Sequence, residues 1–359
     1  ISISFIMFDI SNKKALLQTF FAAFAIMPLI SAIAAPDPAT GAGDPCEVFE
    51  VRVPEFSPIA YARATASLFR AYEKSAGGPI KKGDKGRVGI KVYTNSGPGL
   101  CTPTGLVDAV IDQLVRRGYD KKDITIVDMS RRKLRDCGYL PKRSLLKAGM
   151  ADDYKGVPVA DIESGKFFDS RWYYDNPLTP KSVRGEASGD IYNPELRKSY
   201  LPVPLFLSVD FWINLPMVTD MEGLGVCAAL GNASIWNMSN NERFLKSPAN
   251  ASMAAAEVCS IPELKDSSLF TILTLEKGQF VGGAIFNSRC TFSENAILMS
   301  RNPVAIDYVA WELLNKYRAA YKFDKIEPMP ALLNYCKELK IGDWDPRAAR
   351  RVLLPFRSR

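Results

Sequence analysis

Apolar positions change their spacing several times along this chain, and the changes mark out alternating helices and strands. Ala60 to Ser75 repeats its apolar residues at helical spacing and stops at Gly77-Gly78, which predicts a helix. Arg87 to Tyr93 (RVGIKVY) is a short apolar run that reads as a strand, followed by a glycine-rich loop from Thr94 to Gly105 (TNSGPGLCTPTG). Leu106 to Arg117 then predicts a helix ended by Gly118, with Thr102 as its N-cap and Pro103 in the first helical position. Asp123 to Asp128 (DITIVD) is the next strand. The unit is β-loop-α-β, and a right-handed crossover makes its strands parallel.

From Ser130 to about Lys198 the chain is polar and rich in aromatic residues and proline, an irregular, loop-rich insertion over about 130–198. Regular patterning returns at Leu205 to Pro216 (LFLSVDFWINLP) and Gly225 to Asn232 (GVCAALGN). Phe270 to Leu275 and Ala296 to Met299 read as short strands, Pro303 to Tyr317 and Ala331 to Leu339 as helices. The expected fold is α/β, a mostly parallel sheet flanked by helices, in a single domain over 47–359. The 24 glycines and 24 prolines are spread along the chain and form no repeat, so solenoid and collagen-like readings have no support.

The first residues have a different character. Lys13 and Lys14 precede an apolar run from Ala15 to Ile33, and Ala32-Ile33-Ala34 offers a small-x-small cleavage pattern. Residues 1–34 are expected to be a signal peptide cleaved after Ala34, and 35–46 a linker. The rival reading is a retained membrane anchor. No later stretch is apolar over a comparable length, so the expectation is an exported protein, periplasmic or extracellular, with no membrane span after cleavage. The formal charge of +7 is scattered in short runs such as Lys81-Lys82 and Arg131-Arg132-Lys133, without interleaved aromatics, and no nucleic-acid partner is expected. Cys46, Cys101, Cys137, Cys227, Cys259, Cys290 and Cys336 form no CxxC pair, and whether any are joined as disulfides stays open.

Histidine is absent. That removes Ser-His-Asp and Cys-His nucleophilic catalysis, histidine-ligated metal sites and imidazole acid/base work, and leaves such duty to Asp, Glu, Lys, Tyr or Cys. Three segments carry candidate chemistry. In the Thr94 to Gly105 loop, Asn95, Ser96, Gly97, Gly99 and Thr102 lead into a helix N-terminus that suits a small anionic ligand, with Lys91 as a nearby cation; the alternative is a tight βα connection. The second segment runs from Asn214 through Asp220 and Glu222 to Asn232, with Asn240 beyond it. Its two acids beyond a strand end suit a divalent cation or a general base, or else cap and solvate a loop. In the third, Arg301 precedes a helix opened by Pro303 and carrying Asp307, and Arg301 either binds an anion or pairs with Asp307.

Taken in order, VGIKVYTNSGPGLCTPTGLVDAVIDQLVRRGYDKKDITIVD, INLPMVTDMEGLGVCAALGNAS and ILMSRNPVAIDYVAWELL resemble the bacterial and archaeal family called domain of unknown function 362, over most of residues 87 to 318. The likeness is to the exported branch without a ferredoxin-like module, so no iron–sulfur cluster is expected. The resemblance implies an α/β fold and places Lys91, Asp128, Asn214, Asp220, Asn232, Arg301 and Asp307 on recurring polar positions. It also implies a departure: Met221 stands where relatives commonly have histidine, and the histidines before the last motif are replaced within Arg289 to Asn295. Two readings follow. One is a binding or scaffold protein that kept the frame and lost the chemistry; the other is a small-molecule or metal-dependent enzyme whose single site is built from Lys91, Asp128, Asp220, Asn232 and Arg301, the first three catalytic.

Overall fold

The structure is a computed structural model that describes residues 47–142, 152–177, 193–245, 248–345 and 349–356. The expected signal peptide and linker, Cys46, and parts of the 130–198 stretch lie outside the described residues. Nine strands make the main sheet: β1 (Val48–Arg52), β2 (Val88–Val92), β3 (Ile124–Asp128), β4 (Asp153–Tyr154), β5 (Val157–Asp161), β8 (Phe211–Leu215), β11 (Ser268–Thr274), β14 (Ala296–Ser300) and β15 (Arg351–Leu354). Their order is β15-β1-β14-β11-β8-β2-β3-β5-β4. The central strands β11, β8, β2, β3 and β5 pair in parallel, whereas β14 runs antiparallel to both its neighbours and β4 antiparallel to β5. The protein is therefore α/β with a mostly parallel sheet flanked by helices.

Among the described residues two smaller sheets accompany it. β9 (Val218–Met221), β10 (Gly225–Cys227), β12 (Gly278–Gln279) and β13 (Thr291–Phe292) form one, and β6 (Phe168–Asp175) with β7 (Lys198–Pro202) forms a ribbon. The stretch over 130–198 is thus less irregular than its composition suggests: β5 continues the main sheet, pairing Val127 with Ala160 and Asp128 with Asp161.

Side-chain alternation gives the main sheet two apolar faces. Val88, Ile90, Val92, Ile124, Ile126 and Ile213 pack beneath helices Pro58–Ser75 and Thr104–Val115. Val127, Trp212 and Tyr93 face the opposite way, toward the short helices Val203–Phe206 and Ala229–Ala233 and the longer Pro248–Cys259. Helix Pro303–Ala320 covers β14 and the small sheet with Ala305, Ile306, Val309 and Leu313. It starts where the sequence indicates, because Asn302 Oδ1 accepts the N–H groups of Val304 and Ala305 at 3.1 and 3.2 Å and Pro303 needs no amide partner. Among the described residues no helix is long and apolar enough to cross a membrane.

One helix start differs from expectation. Helix Thr104–Val115 takes Pro103 as its N-cap, with no side-chain cap. Thr102 is fully buried instead, and its hydroxyl accepts from Tyr93 N at 2.8 Å and donates to Leu215 O at 2.6 Å. A hydroxyl that joins the ends of β2 and β8 has no freedom to turn back toward a helix terminus.

Candidate functional site

The register of β2, β3 and β8 sets the first polar centre. Lys91 stands opposite Val127 on one side and Asn214 on the other, on the face that carries Trp212. It is wholly buried, and its ammonium donates to Asp128 Oδ1 at 2.6 Å, Val92 O at 2.8 Å and Asn232 Oδ1 at 3.0 Å. An ammonium has three protons to donate, and all are engaged. The second oxygen of Asp128 accepts from Thr94 N at 2.6 Å and Thr94 Oγ1 at 2.5 Å. Burial pulls the Lys91 pKa down, and the Asp128 carboxylate opposes that pull.

The network continues across the sheet face. Asn232 Nδ2 donates to Asn214 Oδ1 at 2.8 Å, and Asn214 Nδ2 donates to Ala229 O at 2.8 Å. Asp307, also wholly buried, accepts Ala229 N at 2.5 Å and Leu230 N at 3.3 Å. Burial pushes the Asp307 carboxyl up to about 8, against the lowering effect of the N–H groups of Ala228, Ala229 and Leu230. Asp128, Lys91, Asn232, Asn214 and Asp307 thereby form one chain of contacts that fixes the short helix Ala229–Ala233 on the sheet. The alternative pairing of Asp307 with Arg301 does not occur; the carboxyl group is turned inward onto backbone amides.

The loop after β2 is tied to this centre. Ser96 Oγ and the Tyr93 hydroxyl are 2.8 Å apart, and Asn95 O accepts Lys133 Nζ at 2.7 Å. Gly97 has φ +73° and turns the chain, with its N–H donating to Thr94 O at 2.8 Å. At Gly99 a Cβ would lie 2.3 Å from the Phe286 ring, so the ring packs directly on the loop backbone. Asn95 Nδ2 is buried with no hydrogen-bond partner. The loop is a packed βα connection held from both sides.

The acids of the second segment go elsewhere. Asp220 sits on β9 opposite Val226, accepts Gly283 N at 2.8 Å and lies 3.3 Å from Arg318 Nη1. Glu222 is exposed on the following turn. Among the described residues no group of three or more Cys, Asp or Glu side chains is placed to hold a metal ion. Asn240 has φ 50° and its Nδ2 donates to Leu196 O and Lys198 O at 2.9 and 3.2 Å, a turn role.

Arg301 departs most from the expected common site. Because β14 runs against β11 and pairs Ser300 with Thr271, Arg301 emerges beside the start of β11, at the end of the sheet away from the Thr94 loop. There it lines a cavity of about 60 Å3 together with Lys265, Ser268, Thr271, Asn214 and Cys259. Asn214 and Thr271 are register partners on one face and form the buried floor, at 1% and 3% exposure. Among the described residues neither Arg301 nor Lys265 has a carboxylate partner, and the Thr271 hydroxyl has no hydrogen-bond partner. Tyr72 lies close enough to feel the Arg301 charge, which opposes the upward pull of burial on its hydroxyl. Thr271 and Lys265 carry no sequence signal: one is a threonine, a type that strands favour, and the other a lysine on the five-residue helix Pro262–Asp266.

No family model matches this chain, and no curated protein matches it. Among solved structures, a protein from Thermotoga maritima is similar at 13% identity and a TM-score of 0.34, over 62% of this chain. The match spans about half of that protein, 52% of its length.

Proposed function

We propose that this chain is an exported binding protein for a small oxyanion or short carboxylate, on a frame of the kind that the domain of unknown function 362 resemblance implies. The observation that carries the reading is the cavity at Arg301. Among the described residues Arg301 and Lys265 have no carboxylate partner, and they border a floor formed by Asn214 and Thr271. The Thr271 hydroxyl faces the cavity with no protein partner among the described residues, so it is free to hydrogen-bond an oxygen acceptor bound there. A volume of about 60 Å3 is several times what a single water needs, room for a group the size of phosphate or acetate. A guanidinium with an ammonium beside it is suited to such a group.

The saturated state of Lys91 supports binding over catalysis. Lys91 donates all three of its protons, and both it and Asp128 are closed off from solvent, so a substrate has no access to either group. The export reading rests on the apolar run from Ala15 to Ile33.

Isothermal titration of the full chain at low salt with inorganic phosphate, sulfate and acetate tests the proposal. Expected is saturable binding of at least one of them, weakened tenfold or more in Arg301→Ala and unchanged in Asp220→Ala. No saturable heat with any of the three at millimolar concentration would sink it.

A further inference from the structure

Two thiols meet beside the Thr94 loop without any part in the networks above. Cys101 lies within the loop, half-buried, and Cys137 is the C-cap of the six-residue helix Arg131–Asp136. They are 36 positions apart in sequence, yet their segments are pinned together. Tyr139 OH donates to Thr102 O at 2.6 Å, Lys133 Nζ to Asn95 O at 2.7 Å, and Gly138 packs on Thr104. Cys137 belongs to the apolar cluster under helix Thr104–Val115 and Cys101 packs against the same cluster, both as free thiols.

We propose that Cys101 and Cys137 are a thiol–disulfide modification site, oxidised by exchange with a small-molecule or protein disulfide. Cys101 is the entry point. It is the more accessible of the two, and contact with Cys137 and the charge of Lys277 hold its pKa below the ordinary thiol range, while Cys137 is driven upward. The Cys101 thiolate attacks one sulfur of the donor disulfide, forming a mixed disulfide and releasing one donor thiol. Cys137 then loses its proton, attacks the Cys101 sulfur and releases the second donor thiol. Overall, two protein thiols and one donor disulfide give one protein disulfide and two donor thiols. The product cross-links the Thr94 loop to helix Arg131–Asp136, and so braces the residue, Thr94, that holds Asp128.

The inference stands apart from the anion cavity, and its test is covalent. The full chain is treated with oxidised glutathione, alkylated and mapped by mass spectrometry without reduction. Expected is loss of two alkylatable thiols, with a peptide joining Cys101 to Cys137. A rise in Tm of roughly 5 °C should accompany it, from loop closure in the unfolded chain. Cys137→Ser should trap Cys101 as a stable mixed disulfide, and Cys101→Ser should leave Cys137 unmodified in the folded protein. Cys137→Ala serves where serine disturbs folding. A wild-type chain that accumulates only mixed disulfides, or that cross-links other cysteines at the same rate, overturns the assignment.

Discussion

Lys91 Nζ stands 2.6 Å from Asp128 Oδ1, with both side chains closed off from solvent. A buried pair of this kind gains little over a well-packed apolar pair, but breaking one half leaves an uncompensated charge. Asp128→Ala should cost about 3–5 kcal/mol by urea denaturation. The double variant Lys91→Met/Asp128→Leu should be less destabilised than Asp128→Ala alone. A double variant at least as unstable as the single one would show that the pair is needed for more than charge balance.

Thr271→Val separates fold from function. The hydroxyl faces the cavity and holds no part of the fold, so removing it should leave the stability of the ligand-free chain within about 1 kcal/mol of the wild type. The same change should weaken phosphate or acetate binding severalfold. Paired thermal melts and titrations read both; a loss of stability without a loss of affinity contradicts the cavity assignment.

Asp220 carries the opposite expectation. Its carboxylate joins Gly283 N to Arg318 beside the small sheet, so Asp220→Ala should lower stability by about 1 kcal/mol. Anion affinity should be unchanged. A divalent cation that raises the Tm of the wild type but not of Asp220→Ala would restore a metal role for this residue.

Asp307 should give the fold a pH signature. The folded chain keeps a proton on it up to about pH 8, whereas the unfolded chain releases that proton near 3.8. The folded state therefore binds more protons between these values, and its contribution is fully present below pH 4 and lost as pH rises through 8. The slope should be about 1 kcal/mol or less per pH unit. Asp307→Asn, which keeps an oxygen for Ala229 N and Leu230 N, should flatten the profile between pH 5 and 8 in denaturation experiments at stepped pH.

Gly99→Ala tests the packing of the loop. The added methyl would meet the Phe286 ring at 2.3 Å, an overlap that should cost about 1–3 kcal/mol. Gly99→Ala/Phe286→Leu, with a smaller and more flexible neighbour, should recover part of that loss in thermal melts.

Much of the frame is legible in the chain because its strands are buried on both faces and so read as unbroken apolar runs. β2 and β3 appear as RVGIKVY and DITIVD for that reason, and helix Pro303–Ala320 announces itself through Asn302-Pro303. β5 is hidden by Pro158 in a five-residue strand, and β9, β10, β12 and β13 are too short to carry a pattern and exist through tertiary pairing. Lys91, Asp128, Asn214 and Asn232 stand out as polar residues among apolar ones, and the structure joins them across separations as long as 141 residues. The reversal of β14 is what the sequence conceals. A strand of apolar residues has no directional mark, so nothing in ILMSRNP says that Arg301 leaves the sheet at the opposite end from Thr94.

That reversal makes Asn214 a shared part. Its side chain floors the Arg301 cavity and also receives the amide of Asn232, which in turn accepts from Lys91. A continuous run of hydrogen bonds thus joins the floor of the cavity to the loop at the other end of the sheet. By reciprocity of linked equilibria, whatever an occupant of the cavity does to the hold on Thr94, a change in that hold does equally to the occupant.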